Sequence, residues 1–170
     1  MIETTDLILD KAKYSDWEAM FKNVWSHEQS ARYMFWEVTK TEEEAKDRIL
    51  RTIDFQKTHE DAFLIYKKPE LFAIGFAGAE CVKGSTYRET GICFGPDYVG
   101  RGYGKQVLSS LIDYCKEKYN ASEMLYSARE ENVASNALAR SFGFEPVGKE
   151  DSVDKRNGQG IVIINYSLKI

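Results

Sequence analysis

The chain has 170 residues, 43% of them apolar and 29% charged, and a net charge of −4. That length suits one domain with a substantial core, and ten Tyr, nine Phe and three Trp exclude an aromatic-poor disordered segment. The acidic balance argues against a nucleic-acid or anionic-membrane partner, no apolar run approaches the roughly 18 residues of a membrane span, and the opening MIETTDLILDKAKYSDWE lacks the basic start of a signal peptide.

In chain order, LILDKA (Leu7 to Ala12) reads as a strand. YSDWEAMFKNVW follows, with Ser15 and Glu18 at capping-box spacing and Trp17, Met20, Phe21, Val24 and Trp25 at helical intervals. A second capping box, Thr41 with Glu44, opens TEEEAKDRILRTIDFQK, whose Ala45, Ile49, Ile53 and Gln56 face one way. AFLIYKK (Ala62 to Lys68), LFAIGFAGAECV (Leu71 to Val82) and YRETGICF (Tyr87 to Phe94) are predicted strands of an antiparallel meander, joined by KPE and KGST. After a glycine-rich stretch, Leu108, Leu111, Ile112, Cys115 and Tyr119 mark a helix. EMLYSA (Glu123 to Ala128) is a strand, and NVASNALARSF is a short helix with Asn132 placed to cap it. FEPVGKE and GIVIINYSLKI close the chain as two strands around the hairpin loop VDKRNGQG. With no repeat or linker, residues 1–170 read as a single α+β domain, ordered β-α-α-β-β-β-α-β-α-β-β.

The stretch GPDYVGRGYGKQ carries Gly95, Gly100, Gly102 and Gly104 and then enters the helix directly. Glycine is the residue most penalised by ordering, so such a run signals a turn, a close approach or a cradle. A nucleotide-triphosphate loop needs G-x-x-x-x-G-K-[ST]; Val99 and Gln106 break it at both ends. A dinucleotide fingerprint G-x-G-x-x-G begins at Gly100 and Gly102 but meets Lys105 where the third glycine belongs. Converging N–H groups and the start of a helix still suit a pyrophosphate, with Arg101 and Lys105 adding charge at the rim.

Val99-Gly100-Arg101-Gly102-Tyr103-Gly104, preceded by ICFGPDY, resembles the [QR]-x-x-G-x-[GA] loop of the GNAT superfamily of acetyl-CoA-dependent N-acetyltransferases, with Val99 in place of the usual Gln or Arg. AREENVASNALARSFGFEPVG (Ala128 to Gly148) is similar to a second conserved region of the family. SARYMFWEVTKTEEEA and RETGICFGPDY resemble the branch containing ribosomal-protein N-terminal alanine and serine acetyltransferases. The resemblance implies a mixed, mostly antiparallel sheet of about seven strands flanked by helices, acetyl-CoA as cosubstrate, and no metal. His27 and His59, accordingly, have no metal-like companions.

On that resemblance, two strands splay and Ile92, Cys93 and Phe94 line the pantetheine arm, while Val99, Gly100, Arg101, Gly102, Tyr103, Gly104 and Lys105 hold the pyrophosphate. Asn132 matches a cofactor-contacting position, or serves only as a helix cap. Glu89, in an E-x-G strand, is implied as general base, the alternative being a solvent-facing or Arg88-paired carboxylate. The tyrosine that usually protonates the leaving thiolate aligns with Ala139, so Ser135, with water or Tyr126, is the replacement acid; Ser135 otherwise satisfies its helix's first turn. Trp25, Tyr33 and Trp36, with Phe35, lie where the branch walls its acceptor, or are core aromatics.

The acceptor implied is a primary amine. A protein N-terminal α-amine, pKa near 8, is easier to deprotonate than a lysine near 10.4. A small-molecule amine (polyamine, antibiotic or metabolite) is the alternative, and a non-catalytic acyl-CoA-binding regulatory domain is a rival of another class. Cys81, Cys93 and Cys115 are odd in number and far apart, as in a cytoplasmic protein with reduced thiols. A homodimer is left open.

Overall fold

A computed structural model describes residues 1–170. Its sheet contains β1 (Ile2–Glu3), β2 (Leu7–Asp10), β3 (Ala62–Lys67), β4 (Phe72–Lys83), β5 (Thr86–Glu89), β6 (Cys93–Phe94), β7 (Glu123–Arg129), β8 (Glu145–Val153) and β9 (Gly160–Lys169). The order across it is β1-β2-β3-β4-β5-β7-β9-β8, with β6 paired to β4. Every pairing is antiparallel except β5 with β7.

The nine strands exceed the predicted seven for two reasons. Ile2–Glu3 adds a short edge strand, and the predicted strand Tyr87–Phe94 is broken between Glu89 and Cys93.

β3 explains why both faces of the sheet are covered. Phe63, Leu64, Ile65 and Tyr66 are all buried, so the strand reads as a continuous apolar run rather than an alternation. Phe63 and Ile65 join one core with Leu108, Leu111 and Cys115 of α4 (Tyr103–Tyr119) and Ala139 of α5 (Val133–Ser141). Leu64 and Tyr66 join a second core with Met20, Val24, Trp25, Ala45 and Ile49. That second face is covered by α1 (Trp17–Met20), a π turn over Phe21–Trp25, α2 (Glu28–Ala31) and α3 (Glu42–Thr58).

Local signals are realised unevenly. Thr41 Oγ1 accepts the Glu44 N–H at 3.2 Å and starts α3 as its spacing predicts. The first helical segment instead opens as a 3-10 turn over Tyr14–Asp16, in which Asp16 Oδ2 accepts the Lys13 N–H at 2.7 Å; Ser15 is exposed and caps nothing. Asp16 prevails because the same carboxylate oxygen also accepts the Tyr66 hydroxyl at 2.6 Å, a tertiary partner invisible to a local capping rule.

Candidate active site

The site begins where two neighbouring strands stop pairing. β5 runs alongside β7 only from Thr86 to Arg88, opposite Glu123 to Leu125. Past Glu89 the chain turns out through Gly91, whose φ of +125° is a conformation that L side chains rarely adopt. It then rejoins β4 as β6, while β7 stays paired to β9 through Arg129. The wedge between the diverging strands opens a cleft of about 1480 Å³. Glu89, Ile92, Cys93 and Phe94 line one wall and Leu125, Tyr126 and Ala128 the other.

At one end of the cleft lies the glycine loop. Gly100 and Gly102 have φ of +74° and +81°, so a side chain at either would force strain. The backbone N–H groups of Val99, Gly100, Arg101, Gly102, Tyr103 and Gly104 donate to no acceptor in the protein, whereas those of Lys105 and Gln106 close onto Gly102 O. Consecutive unpaired donors at the start of a 17-residue helix form an anion cradle. The residues present therefore fit a pyrophosphate, and Lys105 on the cleft wall supplies a cation. Arg101 does not join through its side chain: its Nε donates to Asp97 O at 2.9 Å, and it is not among the wall residues. Val99, where the family carries Gln or Arg, is exposed on the wall and adds no hydrogen bond.

Glu89 is 7% exposed at the strand break. Burial pushes its carboxyl up to about 8, against the opposing hydrogen bond from the Gly91 N–H. Across the wedge, the hydroxyls of Tyr126 and Ser135 are hydrogen-bonded at 2.7 Å. Tyr126 is raised above the ordinary phenol value by burial first and by the Glu89 charge second, so it stays protonated. Asn132 lines the cleft and also caps α5, its Oδ1 accepting the Ser135 N–H at 3.2 Å. Ala139 is fully buried in the first core and does not border the cleft. The helix presents Ser135 and Leu138 to the cleft. Cys93 borders the cleft, but burial pushes its thiol up to about 12, which leaves it unreactive.

At the other end, Tyr33, Met34, Phe35 and Arg129 line the cleft. Trp25 and Trp36 do not: Trp25 is 2% exposed within the second core, and both border a separate cavity. The aromatic-rich early segment thus supplies only Tyr33 of the three residues predicted to wall the acceptor, together with Phe35.

A polar cluster beneath this wall escaped the sequence reading. Asp154, 1% exposed, pairs with Arg129 at 2.9 Å and Arg156 at 2.6 Å. Arg156 also donates to the carbonyls of Ala31, Arg32 and Trp36. The β8–β9 hairpin therefore fastens the segment that carries Tyr33 and Phe35. Its only trace in the sequence is a charged hairpin loop, which ordinarily faces solvent.

Comparison with known proteins follows the same lines. A protein of Bacillus subtilis (strain 168), provisionally named a [ribosomal protein bS18]-alanine N-acetyltransferase, is 29% identical over 75 residues, covering 44% of this chain and 49% of that protein. The alignment thus spans about half of that relative. The uncharacterized N-acetyltransferase p20 of Bacillus licheniformis is 25% identical over 167 residues, covering 97% of this chain and 93% of its own. A solved structure of RimL, a ribosomal L7/L12 alpha-N-protein acetyltransferase in complex with coenzyme A, superposes with a TM-score of 0.80 at 21% identity, covering 98% of this chain and 96% of the other. The family model of the acetyltransferase (GNAT) domain matches residues 6–145. With its splayed strands, its glycine loop and that match, the chain belongs to the GNAT acetyltransferase family.

Proposed function

We propose that this protein transfers the acetyl group of acetyl-CoA to a primary amine, and that the amine is the α-amine of a peptide or protein N-terminus. One observation carries the reading: a buried carboxyl raised to about 8 shares a single cleft with a row of unpaired backbone donors. The donors of Val99 to Gly104, with Lys105, hold the pyrophosphate. The pantetheine arm lies along Ile92, Cys93 and Phe94, bringing the thioester to the strand break.

There Glu89 takes the ammonium proton of the acceptor, directly or through one water. The freed amine attacks the acetyl carbonyl. The Ile92 N–H, which has no acceptor in the protein, stabilises the oxyanion that forms. As the C–S bond breaks, the departing thiolate takes a proton from the Ser135 hydroxyl, and the proton that the nitrogen sheds on becoming an amide returns through Tyr126 to Ser135, so both hydroxyls end protonated.

Matching proton affinities support this acceptor class. An α-ammonium titrates near 8, level with Glu89, whereas a lysine near 10.4 would make the transfer uphill by about 3 kcal/mol. RimL, similar in fold, is named for α-N acetylation of a ribosomal protein, which agrees with this choice. Three free thiols suit a cytoplasmic setting.

The test is thermal unfolding with acetyl-CoA, CoA, ATP and NAD, followed by an acceptor panel. A ligand at a hundred times its Kd adds about 2.7 kcal/mol, or roughly 5 to 10 °C for a chain of this size. Shifts with both CoA species alone, and faster acetylation of N-terminal peptides than of lysine side chains or polyamines, are expected. Binding of CoA without transfer to any amine would leave a non-catalytic acyl-CoA-binding domain. Absence of a CoA response would overturn the reading.

A further inference from the structure

A second cavity, of about 590 Å³, shares Phe55, Ala62, Thr90 and Gly91 with the walls of the main cleft. Thr90 and Gly91 follow Glu89 directly in the chain, so the two spaces flank the strand break. The volume falls within the ordinary range for small-ligand sites.

Two cations border the second cavity, exposed Arg51 and half-buried Arg48, and only Arg48 is held by aromatic rings. Arg48, on α3, lies between two indoles, its guanidinium 4.7 Å from the ring centre of Trp25 and 4.4 Å from that of Trp36. Its Nη1 donates to Thr39 Oγ1 at 2.9 Å and more weakly to Glu37 O at 3.4 Å. Nε and Nη2 donate to nothing in the protein, and no carboxylate forms an ion pair with the group. The contrast within the same molecule is direct, because Arg129 and Arg156 both share Asp154. Burial pulls Arg48 down to about 10, and neighbouring Arg51 acts in the same direction. A second donor is also unsatisfied: Trp36 Nε1 is buried without an acceptor.

Of the acids on this wall, Glu44 is turned to the start of α3, where it accepts the Lys40 N–H at 2.7 Å, and Glu37 is exposed. A half-buried guanidinium with no counter-charge is under-compensated, and aromatic faces fix its planar fork without neutralising it. What the arrangement lacks is a planar, doubly accepting anion.

We infer that the second cavity is a carboxylate subsite for the acceptor: Arg48, held between Trp25 and Trp36, receives an acidic group carried by the same molecule whose amine lies at Glu89. The inference rests on the acetyl transfer proposed above for the placement of the amine. It returns Trp25 and Trp36 to a role in acceptor selection, as the walls that orient Arg48 rather than as surfaces of the main cleft.

The test reads binding without catalysis. N-acetylated pentapeptides, which cannot be acetylated again, are titrated by tryptophan fluorescence in pairs that differ only by Glu against Gln near the N-terminus. The wild-type protein should bind the Glu member about tenfold tighter or more at low salt. In Arg48→Met, which keeps an unbranched side chain between the rings, the preference should collapse to within about twofold; Arg48→Lys should retain part of it. Circular dichroism establishes that each variant is folded, and the wild-type pair needs no variant.

N-acetylglutamate against its γ-amide supplies a further arm. Preference for the free acid equal to that for the peptide assigns the subsite to small carboxylated amines, and preference confined to the peptide assigns it to protein N-termini. Both outcomes uphold the carboxylate assignment. Equal binding of Glu and Gln peptides by the wild type, or a preference that survives Arg48→Met, would overturn it. An acceptor panel that shows no acetyl transfer would sink the proposed reaction and leave this binding result standing.

Discussion

Replacing Glu89 by Gln should make the protein more stable at alkaline pH and nearly inactive. Glu89 is 7% exposed, and its carboxyl is raised from 4.5 to about 8, with burial as the main cause. The folded state therefore holds this proton more tightly than the unfolded chain does. The resulting stability is fully present below the unfolded value, near 4.3. It is lost as pH rises through the interval up to about 8, beyond which nothing further changes. A gap of this width corresponds to at most about 5 kcal/mol, and local relaxation or water entry reduces it to the order of 2–5 kcal/mol. Gln keeps an oxygen for the Gly91 N–H and carries no charge to desolvate.

At a pH of about 5 the two proteins should melt within about 2 °C of each other; near pH 9 the variant should melt on the order of 10 °C higher. Acetyl transfer should fall about 10²-fold or more at every pH. Calorimetric or fluorescence melts without CoA make the comparison. A variant that melts below the wild type at alkaline pH, or by the same margin at both, would refute the claim that Glu89 is a desolvated carboxyl. With a hydrazide acceptor, neutral throughout the range, kcat/KM of the wild type should still rise through about 8, because that limb belongs to Glu89 rather than to the amine.

Further outcomes bear on the rest of the site. Gly102→Ala has open space for its Cβ but inherits a φ of +81°, so strain alone should cost about 1–2 kcal/mol. CoA affinity should drop with it, about tenfold, measured by titration calorimetry. Tyr126→Phe and Ser135→Ala each remove one end of the same 2.7 Å hydrogen bond, so the double variant should be scarcely slower than either single. Additive losses in kcat would mean that the two hydroxyls do not act as a relay.

Asp154→Asn removes the carboxylate shared by Arg129 and Arg156 and should lower the melting temperature at neutral pH. Hydrogen bonds from Arg156 and then Arg129 hold this carboxyl well below the usual carboxylate range. Its contribution is therefore present above the ordinary carboxylate pKa and lost only as the solution turns strongly acidic, so the variant's acid-unfolding curve should be shallower than the wild type's.

Local features were legible wherever their cause is local. Thr41 and Asn132 announce their helices because a capping bond joins residues three apart. The buried stripe of Leu108, Leu111 and Cys115 follows from helical periodicity, and the loop from Gly100 to Gly104 carries its backbone requirement in its composition. Glu89 was singled out by its motif, whereas its depth in the protein was not legible.

Other features depended on which segments meet. The run Tyr87 to Phe94 reads as one strand, since nothing within it reveals that β7 pairs with only the first part. Arg48 looks like any charge on a Lys- and Glu-rich helix until Trp25 and Trp36 close over it. Asp154 looks like a turn residue until Arg129, 25 residues upstream, reaches it.

The sequence alone marked the longer helices and the glycine loop, because hydrogen bonds and periodicity over a few residues encode them, and its motifs carried the resemblance to the family that the domain match bears out. Tertiary structure alone decided the split strand, the raised carboxyl of Glu89, the paired hydroxyls and the unpaired Arg48. Desolvation and charge pairing are properties of an enclosed space, and that space exists only once distant parts of the chain have packed around it.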